Sequence, residues 1–191
     1  MRIFGNKKEF AIEYELDNFS KAEFKLYLDS KSICAFKRNN IIYEFKWDIR
    51  ELVDWLELNL NYVLSEEGFP LPVEGNTAVE LYQNSGEFDS EDDDTFDSWY
   101  EKRQDWSFRH SWYSSRAGGY LADVYFRKVG DKIEISWDNC NLYDNIEFLN
   151  PVGLCYIELK QFKGIIENFI KAFRLDIELY STSYQTDANG F

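Results

Sequence analysis

Seven carboxylates within eleven consecutive residues form the densest group of chemically active side chains in this sequence. They are Glu87, Asp89, Glu91, Asp92, Asp93, Asp94 and Asp97, and no basic residue lies among them. Closely spaced oxygens can hold Ca²⁺, but an EF-hand loop needs a glycine at its sharp turn, which residues 87–97 lack. A solvated, flexible loop and a surface for a basic partner remain as the two alternatives.

The acidic group is suited to contact a basic partner. Neighbouring carboxylates repel one another, and a partner of opposite charge relieves that repulsion and speeds the encounter. Trp99 follows two residues later and could anchor such a partner, since aromatic side chains carry much of the affinity of protein interfaces. We therefore predict that the seven carboxylates and Trp99 form a partner-binding surface.

The charge of the chain is concentrated around this group. Of 191 residues, 21 are Lys or Arg and 35 are Asp or Glu, which gives a net charge of −14. Residues 65–105 hold 2 basic and 13 acidic residues, whereas residues 1–64 hold 10 and 11, and residues 106–191 hold 9 and 11. Because nucleic acids are bound mainly through Lys and Arg, this balance argues against a nucleic-acid partner.

The sequence contains few residues that could act in catalysis. His110 is the only histidine, Asp105 lies five residues before it and Ser111 directly follows it. Adjacent side chains do not face each other on a helix, so a hydrolase centred on His110 is the weakest hypothesis. The three cysteines have no CxxC spacing and offer no zinc site. We predict no catalytic residue, no metal site and no cofactor, and hence no enzyme.

A second group of residues mixes aromatic and basic side chains. Residues 106–116 contain Trp106, Phe108, Trp112 and Tyr113 together with Arg109 and Arg116. Such a group could stack on a nucleotide or base. It could also pack into the core, with its arginines paired to carboxylates. The acidic balance of the chain favours core packing.

Alternation of apolar and polar residues predicts strands in the first 47 residues. Four are indicated, at about 10–16, 24–28, 32–38 and 41–47. Asn39-Asn40 suits a two-residue hairpin turn between the last two strands. Apolar residues at spacings of three and four then predict a helix over 48–66, with Asp48 as its N-cap and Glu51 in the capping-box position.

The second half of the chain alternates between helical and strand patterns. Helices are predicted at about 76–83, 95–103 and 161–175, strands at 121–127, 132–137 and 153–160, and a polar tail from Ser181. Together these elements predict an α+β fold. Its antiparallel sheets would be packed by the two main amphipathic helices, at about 48–66 and 161–175.

The length of the chain suits one domain over residues 1–191, or two lobes, 1–67 and 98–180, joined by an acidic connector, 68–97. The first ten residues lack the apolar core of a signal peptide, and no apolar stretch approaches the roughly 20 residues of a membrane span. We therefore expect a cytoplasmic protein with no membrane partner.

The opening segment FGNKKEFAIEYEL, residues 4–16, resembles the start of bacterial immunity proteins that protect cells from polymorphic or contact-dependent-inhibition toxins. The resemblance extends over residues 4–50. It implies a cytosolic, non-enzymatic protein that binds one cognate toxin domain, and many such proteins are acidic because many of their toxins are basic nucleases. No functional residue is carried over from the matched segment.

A second resemblance covers residues 105–138. The segments DWSFRHSW and VYFRKVGDKIEISWDN are similar to a region found beside zinc-peptidase domains in some bacterial regulatory or defence proteins. The HExxH motif of that peptidase is absent, so peptidase activity is not implied. The leading hypothesis is an immunity protein that neutralises a basic toxin domain, and the alternative is a ligand-sensing regulatory module of a bacterial defence or stress system.

Overall fold

Antiparallel strands and α-helices are combined in this chain, as a computed structural model shows. It describes residues 1–17, 21–66 and 68–188. The strands are β1 (Arg2–Asn6), β2 (Phe10–Leu16), β3 (Lys21–Leu28), β4 (Lys31–Ser32), β5 (Phe36–Arg38), β6 (Ile41–Tyr43), β7 (Phe45–Asp48), β8 (Tyr125–Val129), β9 (Lys132–Asp138), β10 (Glu147–Phe148) and β11 (Val152–Glu158). The helices are α1 (Arg50–Ser65), α2 (Ala78–Asn84), α3 (Asp93–His110) and α4 (Leu159–Ala188). The predicted α+β class is confirmed.

The first sheet is a meander of β1, β2, β3 and β4, and β7 pairs with the other half of the same edge of β3. The strands predicted at 10–16 and 24–28 correspond to β2 and β3. Strand β1 was not predicted, because most of its side chains are exposed and show no alternation. Its Gly5 has φ +97°, and a Cβ there would lie 2.3 Å from the Phe10 carbonyl oxygen. Only glycine fits that strand pair.

The predicted strands 32–38 and 41–47 are each divided in the structure. Residues 33–35 are buried in succession rather than alternately, so the chain leaves the first sheet there. Strands β5 and β6 form the predicted hairpin, with Asn39 at φ 51° and Asn40 at φ 64°. This hairpin joins β10 in a second sheet instead of continuing the meander.

The two main helices occupy the predicted places with different ends. Helix α1 begins at Arg50 with Ile49 as its N-cap, and no side chain caps it. Asp48 was predicted as the cap, but it belongs to β7, and its carboxylate accepts hydrogen bonds from the backbone and guanidinium of Arg50. Because Asp48 does not cap α1, Glu51 forms no capping box with it. Helix α4 runs through the predicted polar tail to Ala188.

The third sheet has the order β11-β9-β8, and α2 lies against it through hydrogen bonds to β9. The β8–β9 hairpin turns at Gly130, where φ is +63°, as the sequence predicts. The predicted helix at 95–103 is the middle of α3, which continues to His110 and is followed by a 3-10 turn, Trp112–Ser115. The predicted connector 68–97 is therefore partly helical: it contains α2, a 3-10 turn at Ser85–Glu87 and the start of α3.

One buried cluster contains side chains from both ends of the described chain. Phe169 of α4 contacts the rings of Phe4, Tyr14 and Phe24, and Phe162 packs between Phe10 and Phe126. Residues from both predicted lobes thus share a core. Among the described residues, no helix combines the length and apolar character required to cross a membrane.

Candidate functional site

The seven predicted carboxylates lie around the N-terminus of α3, and we call them the acidic surface. Glu87 ends the 3-10 turn, Asp89 and Glu91 lie in the segment before α3, and the other four lie at the cap and in the first two turns. All seven are exposed. Within the described part of the chain, none has a Lys, Arg or His nitrogen at ion-pair distance.

Part of the acidic surface has a local structural role. Asp92 is the N-cap of α3: its Oδ2 accepts the backbone N–H of Thr95 at 3.1 Å and also the Thr95 hydroxyl. Asp93 and Asp94 occupy the first turn, where carboxylates offset the positive end of the helix dipole. These three residues therefore stabilise the start of α3. Glu87, Asp89, Glu91 and Asp97 have no such role.

Aromatic side chains hold the acidic segment against α3. The ring of Trp99 stacks on Phe88 with centroids 4.0 Å apart and planes 11° apart. The Trp99 indole N–H donates to the Ser85 carbonyl at 2.8 Å. The Tyr100 hydroxyl lies 3.0 Å from the carbonyl oxygens of Gly86 and Phe88. Four contacts therefore position residues 85–88, which argues against a freely flexible loop.

Trp99 itself is half-buried beneath the acidic surface rather than free to enter a partner. The exposed aromatic residue among the carboxylates is Phe96, which is 37% exposed and packs on the Tyr100 ring. The helical spacing of Phe96 and Tyr100, four residues apart, is the sequence signal that places them on one face of α3.

A shallow groove adjoins the acidic surface. Its volume is about 410 Å³, and it runs between residues 70–72 and α3. Pro70, Pro72 and the Trp99 ring provide apolar walls, and Asp94 and Lys102 line the same groove. Lys and Arg side chains combine an apolar stem with a charged end. A basic side chain of a partner could place its stem on these walls and its charge at Asp94.

The aromatic and basic group at 106–116 is divided by the fold. Trp106 and Trp112 are fully buried, and Arg109 forms two hydrogen bonds of 3.1 Å with Glu66, as core packing requires. Phe108, Tyr113 and Arg116 are not packed in the core. They line a cavity on the other side of α3. Core packing therefore accounts for only part of this group.

His110 is fully buried, and both of its ring nitrogens have partners. Nδ1 lies 2.7 Å from the Phe126 carbonyl oxygen, and Nε2 lies 3.1 Å from Glu66 Oε2. Burial lowers the pKa of His110, against the hydrogen bonds to these two groups. The Ser111 hydroxyl points elsewhere and donates to Asp123. The geometry gives His110 no role as a general base toward Ser111.

The described residues contain no group of three or more His, Cys, Asp or Glu side chains arranged to hold a metal ion. Cys34 and Cys155 are buried free thiols, and Cys140 is an exposed one. Burial raises the pKa of Cys34 to about 12 and that of Cys155 to about 11. Thiols with pKa values this high remain protonated at neutral pH and are poor nucleophiles.

No protein-family model, curated protein sequence or solved structure matches this chain. The resemblance of residues 4–50 to immunity proteins, and that of residues 105–138 to a region beside zinc peptidases, therefore remain predictions. Function has to be inferred from the chain's own charges, contacts and cavities.

Proposed function

We propose that this chain is an immunity protein: a non-enzymatic, cytoplasmic inhibitor that binds a cognate toxin domain with a basic surface. The observation that carries the proposal is the acidic surface, seven exposed carboxylates with no cationic partner among the described residues. In the free chain, the N-terminus of α3 compensates only part of this charge. A basic partner compensates it on binding.

The position of the charge supports a role in association rather than in stability alone. Asp92 caps the N-terminus of α3 and Asp93 and Asp94 lie in its first turn, but Glu87, Asp89, Glu91 and Asp97 add repulsion with no cationic partner among the described residues. Such a patch raises association rates with an oppositely charged protein by about 10-fold to 1,000-fold at low salt. A toxin that binds nucleic acid presents a basic surface of this kind.

The groove beside the acidic surface provides packing contacts that slow the dissociation of a partner, which charge alone does not. Rim charges mainly set the association rate, whereas side chains packed in pockets set the dissociation rate. Asp94, Trp99 and the two prolines, together with Lys102, line the groove that would receive a Lys or Arg of the toxin, and Phe96 on the same helix provides exposed apolar area. Bound there, the inhibitor places carboxylates where the phosphates of the toxin's substrate would lie.

The function is tested by growth rescue. The C-terminal domain of the protein encoded immediately upstream is expressed in a host cell with and without this chain. The proposal expects growth arrest without the chain, growth with it, and co-purification of a 1:1 complex. A toxic neighbour that is not rescued, or a neighbour without toxicity, contradicts the proposal.

The role of the acidic surface is tested separately with two variants that lose the same charge. The first combines Glu87→Gln, Asp89→Asn, Glu91→Gln and Asp97→Asn, and spares the helix cap. The matched control combines Asp131→Asn, Asp144→Asn, Glu147→Gln and Glu158→Gln, which are exposed and lie outside the acidic surface.

We expect the first variant to associate with the toxin domain at least tenfold more slowly at low salt, and to lose most of its salt dependence. The control should associate within about threefold of the wild-type rate. Equal association rates for the two variants would show that overall charge, and not the acidic surface, directs the encounter.

A further inference from the structure

A cavity of about 330 Å³ lies on α3 away from the acidic surface and its groove. The second half of α3 forms one wall, residues 111–116 form another, and Tyr82 of α2 closes a third side. The volume is at the small end of the range for small-molecule sites, about 300–1,000 Å³. It suits a small molecule rather than a segment of a protein.

Two arginines line this cavity, and neither is paired with a carboxylate. Within the described residues, five arginines form carboxylate ion pairs, namely Arg2, Arg50, Arg109, Arg127 and Arg174. Three do not: Arg38, Arg103 and Arg116. With 35 acidic residues available in the sequence, two unpaired guanidinium groups in one cavity point to an anion supplied from outside.

Both guanidinium groups are already positioned. Arg103 lies 3.7 Å from the centre of the Tyr82 ring, and its Nε and Nη2 donate to the Tyr82 carbonyl and, from Nε, to Ser85 Oγ. Arg116 lies 4.2 Å from the centre of the Tyr113 ring and donates to the Tyr113 carbonyl. Since a guanidinium has five N–H donors, each arginine keeps donors for a ligand.

The rest of the cavity combines hydroxyl groups with aromatic surface. Ser107, Ser111 and Ser114 line it, although the Ser111 hydroxyl already donates to Asp123, and the rings of Tyr82, Tyr100 and Phe108 line it as well. Asp123, a half-buried carboxylate, accepts the Ser111 hydroxyl and interacts electrostatically with Arg116, but it forms no ion pair with Arg116. Guanidinium and hydroxyl groups bind phosphate oxygens, and aromatic rings stack on a planar base.

We infer that this cavity binds a nucleoside monophosphate, with its phosphate between Arg103 and Arg116 and its base against the exposed Phe108 ring. The inference goes beyond the proposed function and does not depend on it, because it concerns the free chain and a different face of α3. Core packing leaves some residues between 103 and 116 unexplained. A nucleotide ligand accounts for them.

The test is titration calorimetry on the full chain at constant ionic strength, with four probes: AMP, UMP, adenosine and inorganic phosphate. We expect saturable 1:1 binding of AMP, UMP or both, with adenosine and inorganic phosphate at least tenfold weaker. The absence of saturable nucleotide binding at millimolar concentration overturns the inference. Inorganic phosphate that binds as tightly as both nucleotides overturns it as well.

Three single variants assign the binding to the cavity. Arg116→Gln and Arg103→Gln should each weaken nucleotide binding by about tenfold to a hundredfold, since each removes charge-assisted hydrogen bonds. Arg38→Gln is the matched control, because Arg38 is also unpaired but lies outside the cavity, and its affinity should be unchanged. Equal weakening in all three variants would show general electrostatic attraction. If Arg103→Gln does not fold, Arg116→Gln alone decides.

Discussion

Glu134 of β9 accepts the backbone N–H of Ala78 at 2.6 Å, so a fully buried carboxylate caps the N-terminus of α2. The same carboxylate pairs with Arg127 of β8, whose Nε lies 3.0 Å away, and accepts the Ser136 hydroxyl. Helix α2 is thereby fixed to the third sheet. Helix α2 carries Tyr82, and the Arg103 guanidinium of α3 stacks on the Tyr82 ring. The buried Glu134 contact therefore positions one wall of the arginine cavity.

Replacing Glu134 should be strongly destabilising. Glu134→Ala leaves Arg127 and the Ala78 N–H without their buried partner, and removing one member of a buried ion pair costs about 3–5 kcal/mol. Glu158→Ala is the control, because Glu158 forms an exposed pair with Lys132 at 3.4 Å, which is worth about 0–1 kcal/mol. Urea denaturation measures both losses. Similar losses for the two variants would show that the buried contact has no special weight.

Trp99 is expected to protect the acidic segment from proteolysis. Trp99→Ala removes a stacked aromatic pair, worth about 0.5–1.5 kcal/mol, and a hydrogen bond worth about 1 kcal/mol. Local opening of residues 85–91 should then be about tenfold or more frequent. A Glu-specific protease should cleave after Glu87 and Glu91 faster by that factor. Phe108→Ala, an exposed aromatic change on the same helix, should leave these rates within about threefold.

Asp92 should contribute to stability more than its acidic neighbours. Asp92→Ala removes the N-cap of α3 and should lower the free energy of unfolding by about 1 kcal/mol. Asp92→Ser keeps a capping oxygen and should restore most of that loss. Asp97→Ala removes the same charge without a cap and should change stability by less than about 0.5 kcal/mol. A larger effect at Asp97 would contradict the capping role, and chemical denaturation compares the three variants.

Local pattern was sufficient for the elements whose side chains alternate or repeat. The apolar stripe of α1 at Leu52, Val53 and Leu56 is buried as its spacing predicts, and the Asn39-Asn40 turn has the positive φ angles that asparagine tolerates. In both cases the signal lies within one element. The order of the strands in three sheets carries no such signal, and the exit of the chain at residues 33–35 was missed.

The sites were less accessible to sequence reasoning because they depend on contacts between distant segments. The acidic residues were found by their density, but the contact of Trp99 with residues 85–88 could be seen only in the fold. The arginine cavity joins Tyr82, Arg103 and Arg116 from three different elements. Sequence reasoning singled out the cavity residues that lie within the group at 106–116. It gave no reason to include Arg103.

Asp123 should make stability fall as the pH rises from about 4 to about 6. Burial raises the pKa of its carboxyl to about 6, although the Ser111 hydroxyl and Tyr125 stabilise the charged form. In the unfolded chain the pKa is about 3.9. Between these values the folded state keeps the proton that the unfolded state has lost, so the contribution of Asp123 is fully present below about pH 4 and is lost through about pH 6.

Asp123→Asn isolates this effect, since the amide cannot ionise and its oxygen can still accept from Ser111. The unfolding free energy of the wild type minus that of the variant should fall by up to about 3 kcal/mol between pH 4 and pH 7, at 1.36 kcal/mol for each unit of pKa difference. Urea denaturation at half-unit pH steps measures the difference. The acid-induced losses from His110 and Glu66, whose folded pKa values are lowered, occur in both proteins and cancel. A difference that does not change with pH would show that Asp123 is ionised in the folded chain well below pH 6.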